Sequence, residues 1–238
     1  MEMAELEQKL AEIDRKLERL QAYHDVANVM AGYAINHCQK NIAHDADYFA
    51  LDMPDVSVEI ANGGVLVGPD AVKALYAEVY YQPEYKGKYL KHYLATPAIE
   101  VAADGKTAKG VWYSPGWESD TLDGSKDIVP IISFGAYSAD FIKTEKGWKI
   151  WHLHWYHAVK CQLQKGWVQP EPKEMPKSSR NEHPALQGAT ILPPTYEFSY
   201  HLNAIQESIP AAPLPYETWD GDLSWPLVEA VSRSEDGK

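Results

Sequence analysis

The segment WHLHWYH sets three histidines, His152, His154 and His157, within one short stretch. Imidazole titrates closest to neutrality, so a single group can take a proton from a substrate and return it. In a strand, alternation puts His152 and His154 on one face and Trp151, Leu153, Trp155 and His157 on the other. All three histidines can then face one cavity only across a bulge. His-x-His is also a metal-ligand spacing, but it needs a third ligand, for which His92 and Glu118 are nearest. No metal is expected; the competing reading is a pair of histidines hydrogen-bonded at an interface.

A second pairing lies upstream. His37 follows Tyr33 by four residues, so both side chains share one helix face. A histidine that moves protons beside a tyrosine that steadies an enolate oxygen suits proton removal next to a carbonyl with loss of water, or an aldol-type ring closure. His24 reads as solvent-facing, and Asp45 and Asp47 as helix-capping residues. Cys38 has no His or Asn partner by spacing and reads as inert. With Cys161 it could form one bridge at most, and reduced thiols are the simpler state. Loops that cradle phosphates, a GxSxG elbow and an HExxH helix are all missing, which disfavours nucleotide enzymes and serine hydrolases. Gly63-Gly64 reads as a hairpin turn and nothing more.

Eight Trp and fifteen Tyr stand against four Phe. Rings with a polar handle suit a half-wet cavity, and Trp112, Trp117, Trp155 and Tyr137 are the candidates to contact a substrate there. A net charge of −12 argues against nucleic acid and anionic membranes as partners. The charged start of the chain resembles neither a signal peptide nor a membrane span, so a cytoplasmic location is expected.

Leu6, Leu10, Ile13, Leu17 and Leu20 form one stripe of a helix that runs from Ala4 to about Cys38, straight or bent. The five positions also fit a short seam for a partner helix. A further helical piece is expected over 43–51. After Pro54 the period switches to alternation, giving a hairpin through Asn62-Gly63-Gly64, then a helix over 71–81. Long strands follow over 92–102, 106–117, 131–143 and 148–159. This order predicts an α+β fold with helices packed on one face of a curved antiparallel sheet, spanning residues 1–159. From 160 to 238, ten prolines break any long element. Tyr196, Phe198, Tyr200, Tyr216, Trp219 and Trp225 nevertheless make this tail too apolar for a free linker, so it is expected to be an ordered arm. It should cross to a second subunit or close the mouth of its own cavity.

The segments VMAGYAINH, MPDVSVEI, GPDAVKALY, KHYLATPAIEV, GVWYSP and KGWKIWHLHWYH together resemble the SnoaL-like branch of the nuclear-transport-factor-2-like superfamily. They are similar to the bile-acid 7α-dehydratase, scytalone dehydratase and polyketide cyclase families. The resemblance implies a cone-shaped sheet with helices on its concave side and a deep cavity, homodimers or higher homo-oligomers, and acid–base chemistry by Tyr, Asp and His without a cofactor. It carries the helical Tyr onto Tyr33 and the histidine at the start of the central strand onto His92. Dehydratases of this kind place an Asp shortly after the Tyr, where this chain has His37, Cys38 and later Asp45. The strand acid has Glu118 or Asp120 as its nearest counterpart, and the basic residue of the last strand has His157. The expected activity is that of a lyase or isomerase of the dehydratase or cyclase kind acting on a cyclic, hydrophobic carbonyl compound. The alternatives are a non-catalytic binding or assembly protein and an accessory subunit of a ring-hydroxylating oxygenase.

Overall fold

Alternating apolar residues from Val56 onward build the sheet that organises the chain. The computed structural model describes residues 3–38, 40–82, 86–121, 127–168, 179–196, 200, 202–203, 205 and 209–223. Helix α1 runs unbroken over Met3–Asn36, followed by a 3₁₀ segment over Ile42–Tyr48. Strands β1 (Ser57–Ile60) and β2 (Val65–Val67) make the expected hairpin. Helix α2 (Pro69–Ala74) starts on Pro69, whose missing N–H costs nothing at that position, and passes into a π-turn over Leu75–Tyr80.

The remaining strands are β3 (Tyr89–His92), β4 (Ala95–Val101), β5 (Thr107–Thr121), β6 (Ile128–Thr144), β7 (Gly147–Gln162) and β8 (Thr190–Leu192). The sheet order is β3-β5-β6-β7-β1-β2-β8, with β4 also on β5. The sheet is antiparallel except where β1 joins β7 in parallel. The single strand expected over 92–102 is divided at Tyr93-Leu94 into β3 and β4, and β4 itself carries a register shift between Ala95 and Ala98, where Thr96 takes a positive φ of 53°. β5 extends beyond Trp117 because Glu118 and Asp120 pair with Ile131 and Val129.

Residues paired across neighbouring strands share a face. Trp112, Tyr137, Trp155 and Ile60 form one such row on the inner, helix-covered face. Val26, Met30 and Tyr33 of α1 pack into the same core. The row Val111, Ser138, His154 and Glu59 lies on the outer face. The described arm residues fold back on the chain's own sheet. β8 pairs with β2, Tyr196 lies against Tyr156 at 5.5 Å, and Trp219 lies against Trp151 at 4.8 Å between ring centroids. Phe198, Trp225 and the prolines 170, 172, 176 and 226 lie outside the described residues. No helix among the described residues is long and apolar enough to cross a membrane.

Candidate active site

Two carboxylate-paired imidazoles, one from the helices and one from the sheet, meet at the inner face. His37 sits in the turn after α1, where its Nδ1 contacts Oδ2 of Asp45. Asp45 is fully buried and also accepts from Asn36 at 2.6 Å. It thus serves as the imidazole's partner, where the sequence suggested a helix cap. His92 closes β3, and its Nε2 lies 3.0 Å from Glu118 Oε1. The other oxygen of Glu118 accepts from Lys160 at 2.7 Å. The two imidazole rings are 6.1 Å apart.

Burial pushes the His92 pKa below its ordinary value, although Glu118 pulls it upward. Burial alone would raise Glu118, but His92 and Lys160 outweigh it and hold the carboxyl well below the carboxylate range. His92 is therefore a neutral imidazole at neutral pH, beside a fixed anion. Trp155 packs on it at 4.9 Å and is steadied by its own indole N–H, which donates to Ser114 at 3.2 Å. Gly116 leaves room for the ring, since a Cβ there would lie 3.1 Å from it.

His37, His92, Glu118, Tyr137, Trp155 and Lys160 all line one cavity of about 540 Å³. Tyr33 does not reach it. Its hydroxyl is spent on Tyr76 at 3.0 Å, and its ring lies 5.4 Å from that of His37. The burial of Tyr33, Tyr76 and Tyr137 raises all three phenols far above the usual range, so each stays a neutral hydroxyl. Two expected substrate contacts lie elsewhere. Trp112 folds over Gly110 and against Phe141 in the core, away from the cavity wall. Trp117 falls on the opposite face of β5 from Glu118 and is 46% exposed.

A bulge in β7 decides which basic residue enters. Gly135 pairs with His157 but Phe134 with Val159, so Ala158 is the extra residue. Strict alternation would send Lys160 outward; the bulge turns it in. His157 stays on the inner side, buried beside Trp155 at 5.6 Å, and does not line the cavity. Its Nε2 has no hydrogen-bond partner, and burial first, then Lys160, pushes its pKa down to about 4. His152 and His154 face outward, each beside its own acid. His152 Nδ1 is 3.0 Å from Asp140, and His154 Nδ1 is 3.4 Å from Glu59.

The arm also contributes to the cavity wall, with Arg180, Glu182 and His183. Arg180 Nη2 donates to the carbonyls of Gly63 and Gly64 at 2.5 and 3.1 Å. A Cβ on Gly63 would lie 2.8 Å from the guanidinium. The glycine pair is therefore a seat for Arg180 as well as a turn. We expect Gly63→Ala to cost about 1–3 kcal/mol by overpacking. In thermal melts, the loss should shrink when Arg180→Ala removes the group it strikes; an undiminished loss would mean that the turn itself is at fault.

The profile of the SnoaL-like domain family matches residues 18–154. No curated protein matches the chain. Among solved structures, it is similar to a type 2 hexachlorocyclohexane dehydrochlorinase at 18% identity, covering 65% of this chain and 97% of that one, with a TM-score of 0.51. The type 3 enzyme from Novosphingobium barchaimii LL02 gives 16% identity, 66% and 99% coverage, and a TM-score of 0.51. At such identities these likenesses bear on the fold alone.

Proposed function

The chain belongs to the SnoaL-like domain family, and on that premise we propose that it is a lyase or isomerase that acts by its own acid–base side chains on a cyclic, hydrophobic carbonyl compound. The observation that carries this reading is the pair of carboxylate-bound imidazoles, His37–Asp45 and His92–Glu118, facing one cavity with their rings 6.1 Å apart. The outer face carries carboxylate–imidazole pairs as well, His152–Asp140 and His154–Glu59, but the inner two differ in opening onto one shared cavity. The dehydrochlorinases that share the fold carry, in their name, an elimination from a cyclic substrate.

In this mechanism neutral His92 takes the proton next to the substrate carbonyl, and the C–H electrons form the new double bond as the C–O bond to the leaving hydroxyl breaks. His37, held by Asp45 through Nδ1, delivers a proton from Nε2 to that hydroxyl, which departs as water. Solvent then takes a proton from His92 and restores one to His37. Lys160 and the Tyr137 hydroxyl stabilise the charge that builds on the carbonyl oxygen. Tyr33 acts one layer back, packed on His37 and edge-on against Tyr137 with ring centroids 6.0 Å apart.

The test is incubation with bicyclic β-hydroxyketones, followed by the ultraviolet absorbance of the conjugated enone and the loss of water by mass. Binding of these compounds without enone formation would favour a non-catalytic binding protein. Activity should also carry a pH signature. His92 must be neutral to act, and its pKa lies below 6.5, so the limb of kcat/KM that belongs to His92 should lie on the acid side of that value. Glu118 favours protonated His92; Glu118→Gln should therefore shift the acid limb to still lower pH. A shift upward would remove His92 from the role of base.

A further inference from the structure

The first half of α1 runs off the domain, and near the point where it departs Arg19 donates to the Val101 carbonyl at 3.0 Å. Every residue from Met3 to Gln21 is exposed, and Ala22 is the first buried one. These residues span about 28 Å at 1.5 Å per residue. Met3, Leu6, Leu10, Ile13, Leu17 and Leu20 recur at alternating spacings of three and four, which is the a and d pattern of a heptad. They are between 38% and 72% exposed. Helices of this length are marginal in water unless an apolar stripe is packed. The intrahelical ion pairs Lys9–Glu5 and Lys16–Glu12 are solvent-exposed and cover none of it.

We propose that Met3–Gln21 pairs with the same segment of a second copy of this chain as a parallel, in-register coiled coil. Charge decides both the occupant and its direction. With Leu10 and Leu17 at a, and Leu6, Ile13 and Leu20 at d, the flanking g positions are Lys9 and Lys16, and the e positions are Glu7, Asp14 and Gln21. A parallel pair sets g against the e position five residues on, so Lys9 of each copy meets Asp14 of the other and Lys16 meets the neutral Gln21. An antiparallel pair would set Lys against Lys and acid against acid. The stripe is thus self-complementary in one orientation only. The proposal does not depend on the cavity or its chemistry.

The experiment is sedimentation and light scattering on the full chain. Wild type is expected at twice the chain mass or more, and Leu10→Glu/Leu17→Glu should lower that mass. Its melting temperature should stay within a few degrees, because these side chains lie outside the domain core. Orientation is read from Leu10→Cys, which should form an interchain disulfide on mild oxidation that wild type, with Cys38 and Cys161, does not form. A monomeric wild type would overturn the proposal, as would an unchanged mass in the double variant. Crosslinking that requires Leu10→Cys combined with Ile13→Cys would mark an antiparallel pair and overturn it equally.

Discussion

Replacing His92 by alanine is expected to slow enone formation by about 10²–10⁴, the usual contribution of a general base. The effect should fall on kcat, because the imidazole is needed most once the proton begins to move. Removing the ring also leaves Glu118 to Lys160 alone, and the resulting gap beside Trp155 could disturb the cavity wall. His92→Gln is therefore the companion variant. It keeps an amide within reach of Glu118 but offers no base, and it should lose the same rate while melting close to wild type. His37→Ala is expected to lose a comparable factor through the opposite step, delivery of a proton to the leaving hydroxyl. The two losses should not add, since each step fails without the other. Tyr33→Phe should cost far less, about tenfold, because that hydroxyl meets Tyr76 and does not touch the substrate. Wild-type turnover in His92→Gln would remove His92 from the chemistry. Turnover unchanged in His37→Ala as well would leave the site with no acid–base role.

The elements were legible because their periods are strong: a stripe at three and four in α1, alternation in β1, β5, β6 and β7, and glycine turns between them. His37 could be picked out for the same reason, on a helix face with Tyr33, whereas His92 came from the family resemblance, which set it at the start of the central strand; it closes the edge strand β3 instead. Lys160 could not. One inserted residue, Ala158, reverses the face of every side chain beyond it, and nothing in the local sequence marks the bulge. Trp112 and Trp117 failed for two different reasons. Trp112 does face inward but turns onto the bare backbone of Gly110, whereas Trp117 alternates outward from Glu118. Asp45 and Arg180 were hidden by distance. A polar residue in a short 3₁₀ turn reads as a cap until the chain brings it under His37, and Arg180 reaches Gly63 across 117 positions of sequence. The arm's path over its own sheet was likewise open, since aromatic content predicts burial but not the surface that provides it.

That arm carries the second large effect. A chain ending at Gly166 is expected to melt about 10 °C or more below the full chain and to lose affinity for whatever the cavity binds. The described arm residues bury Arg180 and Leu186, set Trp219 on Trp151, and join Tyr216 to Thr107 through their hydroxyls at 3.0 Å. Apolar anchors of this size are each worth about 1.5–3 kcal/mol when fully buried. Several partial anchors then sum to about 5 kcal/mol, and in a chain of this length each kcal/mol moves the melting point by about 2–4 °C. Glu59 gives the loss a pH signature. Its carboxyl is fully buried, accepts from the Thr195 backbone N–H at 2.8 Å and hydroxyl at 2.5 Å, and is raised to about 7 chiefly by burial. A raised folded-state pKa stabilises fully below the ordinary value and is lost as pH rises through the folded one. His154, lowered to about 3 by burial, works in the opposite sense, as do the lowered His92 and His157, but most of that effect lies below 6.5, and His92 and His157 are common to both chains. From pH 6.5 to 8 the full chain should therefore lose stability relative to the truncated chain, in which Thr195 is gone and Glu59 is opened to water, and the gap between the two should narrow. Equal melting points and equal ligand affinity at pH 6.5 would show that the arm holds nothing in place. A gap that widens toward pH 8 would show that Glu59 is not what the arm buries.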